Sequence, residues 1–566
     1  MTNYTLTVLD TSGIQNYLFG TNNLKQNAGA SYLADSATRD WVKEVLDDVT
    51  NGAHNVRGFE YVDKPFDESK TIDQEGVQAE VIYAGGGNTV LLFKQVGEAK
   101  AFATKLSRKV ILEAPDLNLL IAHYQDFDWE SRALGGDNGV VQSVMNQLQK
   151  RKQEYPPPQP LRGLGVTVDG AFTNRPAVGY DLQNRPVAAE SWAKQQAERA
   201  AEERLLQFLD NSIDRKKYSI ARDFEDIGGS HEDSSYIAVV HADGNGMGKR
   251  VRAIQKKFPH ASQNADYVRA MRVFSLSVQG AAHTALNTTV DFLVGQIDKD
   301  FTIGGKIELK KDKDSKPILP FRPIVFGGDD VTFICEGRLG LQLAAYYLEK
   351  FTEQLLTDGD EEYGYAYCRA GVAVTHSHYP FALAYELAES LCASAKVAIR
   401  RWQEEERKPK EGISVIDWHF AINGMNLGLR ETRQRDYTSD AKRKSTQGTS
   451  DLLMRPLWVE KSPALRLGWH SWEQFESILQ EFQSNWLDQR SKLIGLREPL
   501  RRGADAVQQY RHFYSLQELP PITRHRTFSS TGWQGSECGY FDAIEALEFY
   551  GALKSHKNFA TESEAG

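Results

Sequence analysis

Residues 320–337 read PFRPIVFGGDDVTFICEG: two apolar runs joined by two glycines and two adjacent aspartates. The runs are rich in β-branched and aromatic residues, and the centre is turn chemistry, so the stretch predicts a strand–turn–strand hairpin. Asp329 and Asp330 repel each other, and no basic residue lies within five positions of the pair. In an isolated hairpin they would be solvated turn residues, since Gly and Asp are common there. The flanking sequence argues for more.

Upstream, SYIAVVHAD (235–243) reads as a strand ending in Asp243, followed by the turn GNGMGKR and a long helical stretch, 265–294. Downstream, GLQLAAYYLEKFTEQLL (340–356) has helical spacing, and YCRAGVAVTH (367–376) alternates as a strand. The order is β-α-β-β-α-β, the split βαβ unit. The same order occurs earlier: strand NYTLTVLD (3–10), helix 30–49, strand–turn–strand AEVIYAGGGNTVLLF (79–93), helix 97–112 and strand LNLLIAHYQ (117–125). The chain therefore contains a diverged repeat. Asp10 matches Asp243, and the first hairpin reads GGGN where the second reads GGDD.

The predicted class is α+β, with two ferredoxin-like units, a helical linker and a helical C-terminal region. The expected boundaries are 1–128, 129–234, 235–430 and 431–566. YPPPQP (155–160) marks a break, 300–319 an inserted hairpin or mobile loop, and ISVIDWHF (413–420) a strand. The charged run 431–450 is expected to be mobile and the tail TESEAG (561–566) disordered.

The chain of 566 residues is 41% hydrophobic and 25% charged, with a net charge of −9. That is globular composition without the basic surplus of a protein that lives on bare nucleic acid. Its four cysteines are scattered, with no C-x-x-C pair, which predicts a reducing compartment and no cysteine-based zinc site. No signal-peptide pattern or membrane-length apolar run is present, so a cytoplasmic protein without membrane contact is expected.

In a split βαβ sheet the first strand lies beside the hairpin, which brings Asp243 near Asp329 and Asp330. Three converging carboxylates call for a multivalent cation, and hard oxygen donors with open positions select Mg²⁺ or Mn²⁺. A pair of such ions at a strand end suits nucleotidyl transfer. Gly327 and Gly328 would let backbone approach a nucleotide, and the turn at Gly244 could offer N–H groups to phosphate. HADGNGMGKR is not a P-loop: Asp243 stands where glycine is required and Arg250 where Ser or Thr is. Lys396 lies on a helix and reads equally as a phosphate ligand or a solvated surface lysine. No histidine precedes an aspartate, so the adjacent His-Asp pair of a metal phosphohydrolase is absent.

Together VLDTSGIQNYLFGTNNLKQNAGASYL, IYAGGGN, IAVVHADGNGMGKR, FGGDD, RAGVAVTHSHYPFALAYELAESLCASAK and DLLMRPLW resemble the large, polymerase-like subunit of type III CRISPR effector complexes. The resemblance covers roughly 1–125 and 235–460. It implies two palm domains, related to those of GGDEF diguanylate cyclases, and conversion of ATP into cyclic oligoadenylate when a complex senses foreign RNA. By position it implies metal at Asp243, the Gly244 backbone, Asp329 and Asp330. Nucleotide contact falls to Gly244, Gly327 and Gly328, triphosphate contact to Lys396 and base contact to Ser275. RNA would be met through partner subunits, and a homo-oligomer is compatible. Many members begin with an HD nuclease domain, whereas here the first palm starts at residue 3. Many carry a cysteine-rich zinc site that this sequence lacks, so neither DNA cleavage nor zinc is expected. Asn245 stands at a position often acidic in the family, which leaves Asp243 as the acidic ligand of that strand.

The first unit keeps Gly85, Gly86 and Gly87 without carboxylates, which suits cradling an acceptor nucleotide opposite a donor on the second unit. Two other readings compete: a non-catalytic scaffold for RNA or subunits, and a stand-alone signalling cyclase. Retention of Asp243, Asp329 and Asp330 favours catalysis over the scaffold.

Overall fold

The computed structural model describes residues 3–59, 64–154, 163–209, 212–228, 235–357, 364–405, 412–422, 428–443, 451–459, 469–522 and 526–554. The YPPPQP break, the tail and residues 444–450 of the charged run lie outside these.

The first unit runs β1 (Asn3–Ser12), α1 (Leu24–Thr38), β2 (Ala79–Gly85), β3 (Asn88–Phe93), α2 (Val96–Glu113) and β4 (Asn118–Asp128). Its antiparallel sheet has the order β2-β3-β1-β4, the split βαβ arrangement expected. The helix expected over 30–49 is two: α1 stops at Thr38, and a second helix spans Asp40–Thr50. Arg39 between them leaves helical geometry, and its guanidinium bonds the Phe59 carbonyl at 3.0 Å.

Helices α3 (Val140–Glu154) and α4 (Glu198–Phe208) lie in the linker, with a small hairpin at Ala177–Tyr180 and Pro186–Ala188. The second unit follows as β5 (Tyr236–Gly244), α5 (Met247–Lys257), α6 (Asn264–Gly295), β6 (Phe321–Val325), β7 (Val331–Glu336), α7 (Gly340–Thr352), β8 (Cys368–His376) and α8 (Phe381–Glu405). Its strands repeat the first order, β6-β7-β5-β8. β9 (Val415–Phe420) adds parallel to β8, and β10 (Leu457–Trp458) adds antiparallel to β9. The sheet thus takes a strand from beyond residue 430.

Period-two burial explains the layers. Ala238, Val240 and Ala242 of β5 pack into one core with Leu341 and Ala344 of α7. Ile237 and Val239 pack into another with Phe381, Ala384 and Leu391 of α8. With both faces covered, the strand reads as the continuous apolar run IAVV.

The long α6 joins the two units. Arg272 on it pairs with Glu80 of β2 at 2.7 Å, both buried, and donates to the Val81 carbonyl at 2.9 Å. Gln279 donates to the Ala84 carbonyl at 2.9 Å. Removing one partner of such a buried pair costs roughly 3–5 kcal/mol, so α6 holds the first hairpin firmly.

Of the two readings of 300–319, inserted hairpin or mobile loop, residues 302–308 form a hairpin, and Ile318–Leu319 pairs with Ser219–Ile220. Within the charged run, Leu429–Asp436 and Asp440–Arg443 are helical. The C-terminal region is largely helical, as read, with helices including Trp472–Ser484, Ala504–Phe513 and Phe541–Ala546.

Candidate functional site

The end of β5 meets the second hairpin as the strand order requires. β7 pairs Val331 with Ala242, and the Gly244 amide donates to the Asp329 carbonyl at 3.1 Å. Gly244 has to be glycine: a Cβ there would stand 2.8 Å from Asp329 Cβ and 3.0 Å from its Oδ2. Gly327 takes φ +101°, a conformation open to glycine.

The structure brings Asp243, Asp329 and Asp330 within electrostatic reach of one another. Asp329 is pushed up to about 7, by burial first, then by the charges of Asp243 and Asp330. Asp330 is also pushed up to about 7, by burial and then by Asp243 and Glu389. Asp330 faces His241, whose Nδ1 lies 3.3 Å from its Oδ1; burial lowers the pKa of that imidazole.

The sequence reading answered the negative charge at this site with a metal ion. The fold adds a positive side chain that reading did not name, Arg369 of β8, which the register sets directly opposite Asp243. Its guanidinium pairs with the Asp243 carboxylate, donates to Asn245 Oδ1 at 2.8 Å and to the Gly244 carbonyl at 3.2 Å. Asn245 is tied further: its Nδ2 donates to the Ile413 carbonyl at 2.9 Å and its amide to the Tyr367 carbonyl at 2.7 Å. Asn245 therefore fixes the turn. With Asp243 turned to Arg369 and Asp330 toward His241, the three carboxylates do not share one point. Among the described residues no three His, Cys, Asp or Glu side chains stand in a metal-holding group.

The donor set nonetheless fits a hard divalent cation. It is all oxygen, and the Asp329 and Asp330 carboxyls hold their protons up to about neutral pH, through burial first and then the neighbouring negative charges. Beside it opens a cavity of about 460 Å³, lined by Asp243 and Asp329 and by six basic residues: Lys249, Arg250, Arg252, Arg369, Lys396 and Arg400. Among the described residues Lys249, Arg252, Lys396 and Arg400 have no ion-pair partner. Four free cations in one cavity suit a polyanion.

Lys396 lines the same cavity as Asp243, Gly244 and Asp329. Arg400 was missed, although it lies one helical turn from Lys396 on the same face. Ser275 sits on α6 by the first hairpin, its Oγ 3.5 Å from Gln279 Nε2 and 4.0 Å from a Cβ built on Gly85. Gly327 borders a second cavity, of about 350 Å³, with Tyr32, Arg39, Phe59, Phe208 and Gln279 in its wall.

The two hairpins face each other. A Cβ built on Gly328 would stand 3.8 Å from the Gly86 nitrogen and 3.9 Å from its Cα. Gly86 and Gly87 take φ +61° and +76°. The Thr11 amide donates to the Gly87 carbonyl at 3.1 Å, and Asp10, the counterpart of Asp243, pairs with Lys152 of α3.

No family model matches the chain, and no curated protein matches it. Among solved structures, Csm1 of T. onnurineus is similar over 98% of this chain and 70% of its own, at 15% identity and a TM-score of 0.50. A Csm1-Csm4 cassette in complex with cA3 is similar over 98% and 69%, at 12% identity and a TM-score of 0.48. These are proteins of type III CRISPR complexes. The chain has the α+β fold of Csm1. Among the described residues no helix is long and apolar enough to cross a membrane.

Proposed function

We propose that this chain is a nucleotidyltransferase of the type III CRISPR large-subunit kind, which condenses ATP into cyclic oligoadenylate and releases pyrophosphate. The observation that carries this reading is the basic cavity opening on Asp243 and Asp329 at a strand end. A nucleoside triphosphate matches it by charge, with its phosphates on Lys249, Arg252, Lys396 and Arg400. Gly327 and Gly328 let the sugar approach the hairpin, and the cavity behind Gly327 receives the base.

Asp243, Asp329 and Asp330 would hold the divalent metal, Mg²⁺ or Mn²⁺, with Gly244 beside them. Bound there, such an ion makes a ribose hydroxyl more acidic and neutralises departing pyrophosphate. The chain's own groups supply orientation. The apposed tips Gly86 and Gly328 set an acceptor nucleotide on the first unit against a donor on the second, so attack becomes effectively intramolecular. RNA is sensed through partner subunits.

The test is incubation of the purified protein with each NTP and Mn²⁺, and mass spectrometry of the products. Cyclic oligoadenylate from ATP, abolished by Asp329→Ala in a protein that stays folded, is the expected result. Undiminished product from that variant would refute the assignment. A scaffold with a vestigial site would give no product from any nucleotide.

A further inference from the structure

Arg369 bears on how many ions the site takes. Nucleotidyl transfer at a strand end leads to the expectation of two, with the Asp243 carboxylate and the Gly244 carbonyl among their ligands. Both of those oxygens, and Asn245 Oδ1, already accept hydrogen bonds from one buried guanidinium. Arg369 is not a chance surface neighbour. The β5–β8 register sets it opposite Asp243, and its Nε is buried without a hydrogen-bond partner, so the side chain is held there at some cost.

The charges agree. Asp243, Asp329 and Asp330 carry three negative charges when ionised, and Arg369 cancels one. The two that remain on Asp329 and Asp330 match a single divalent ion. Arginine also keeps its charge at every working pH and offers a planar fork that fits clustered oxygens.

We infer that Arg369 stands in place of one metal ion, so that the protein binds one divalent cation, on Asp329 and Asp330. The inference rests on the metal-dependent reading above and narrows its ligand set, because Asp243 then contacts Arg369 and not the ion. Arg369 acts as a positioning residue: it locks Asp243 and the Gly244–Asn245 turn, and it keeps that half of the site positive without metal.

The experiment counts Mn²⁺ bound per full-length chain, without nucleotide, by equilibrium dialysis and electron paramagnetic resonance. Wild type is expected to bind one ion and Asp329→Asn none. Arg369→Gln, which keeps much of the side-chain volume but frees the Asp243 carboxylate, is expected to bind two. Arg369→Lys restores the count of one, which a purely structural role would not require. Two ions on wild type overturn the inference and leave the nucleotidyltransferase reading standing. No ion on wild type overturns it as well, and product formation then decides the wider reading separately. If Arg369→Gln does not fold, the wild-type count alone decides.

Discussion

The repulsion at the second hairpin should be measurable as stability. Asp329→Asn keeps the side chain's shape and removes its charge. In the folded protein Asp329 is pushed up to about 7, mainly by burial and then by Asp243 and Asp330. An unfolded aspartate titrates near 3.9, so the folded state binds more protons across the interval between. The stability Asp329 contributes is therefore fully present below about pH 4 and is lost as pH rises through about 7. An interval of about three units at 1.36 kcal/mol each sets a ceiling of roughly 4 kcal/mol. Asp329 is partly exposed, and screening by water brings the expected figure to about 1–2 kcal/mol. In EDTA, Asp329→Asn should thus match wild type near pH 4.5 and exceed it by that amount at pH 8. Urea or thermal unfolding of both proteins, reading the transition of the second unit, measures the difference. Mn²⁺ at a hundred times its Kd should return about 2.7 kcal/mol to wild type at pH 8 and nothing to the variant. Parallel pH profiles for the two proteins would refute the reasoning, because neither burial nor the neighbouring carboxylates would then raise the Asp329 carboxyl.

Lys396→Ala should raise KM for ATP at least tenfold, since a charge-assisted bond to phosphate is worth about 1.5–3 kcal/mol, while Mn²⁺ binding stays unchanged; steady-state kinetics and dialysis check both. Gly86→Leu should abolish product and leave Mn²⁺ binding intact: its φ of +61° costs a non-glycine residue about 1–2 kcal/mol, and with nothing within 4 Å of its Cβ the leucine would fill space proposed for the acceptor nucleotide. A folded Gly86→Leu protein with wild-type rate would mean that the first hairpin keeps its glycines for turn geometry alone. Elemental analysis after EDTA-free purification should find no stoichiometric zinc, because Cys335, Cys368, Cys392 and Cys538 are buried free thiols and no three His, Cys, Asp or Glu side chains group together among the described residues.

The strand order of both units was legible because alternation, glycine turns and helix spacing are local signals that agree with one another. Lys396 was singled out from the sequence, whereas Arg400, one turn further along α8, was missed. What local signals do not carry is where a long helix leads. Ser275 lies on a helix that begins beside the second unit, yet Arg272 and Gln279 fasten that helix to β2, and Ser275 goes with them to the first hairpin. The break at Arg39 had no glycine or proline to announce it, since its bond to Phe59 is tertiary. β10 is two residues long, too short for any period to register.

Arg369 shows the limit most clearly. An arginine inside the apolar strand CRAGVAVTH was visible, and a charge in such a strand needs a partner. Only the β5–β8 register names Asp243 as that partner, and a slip of one residue would have sent the guanidinium to the opposite face. The two units then differ in a way that the hairpins alone misstate. Each strand-end aspartate has its own basic partner, Lys152 for Asp10 and Arg369 for Asp243. The first unit is balanced by that pairing. The second carries Asp329 and Asp330 in addition, and their surplus is what a cation must meet. Two adjacent aspartates in the sequence reported that surplus correctly, but its size depends on a residue that only the fold brings to the site.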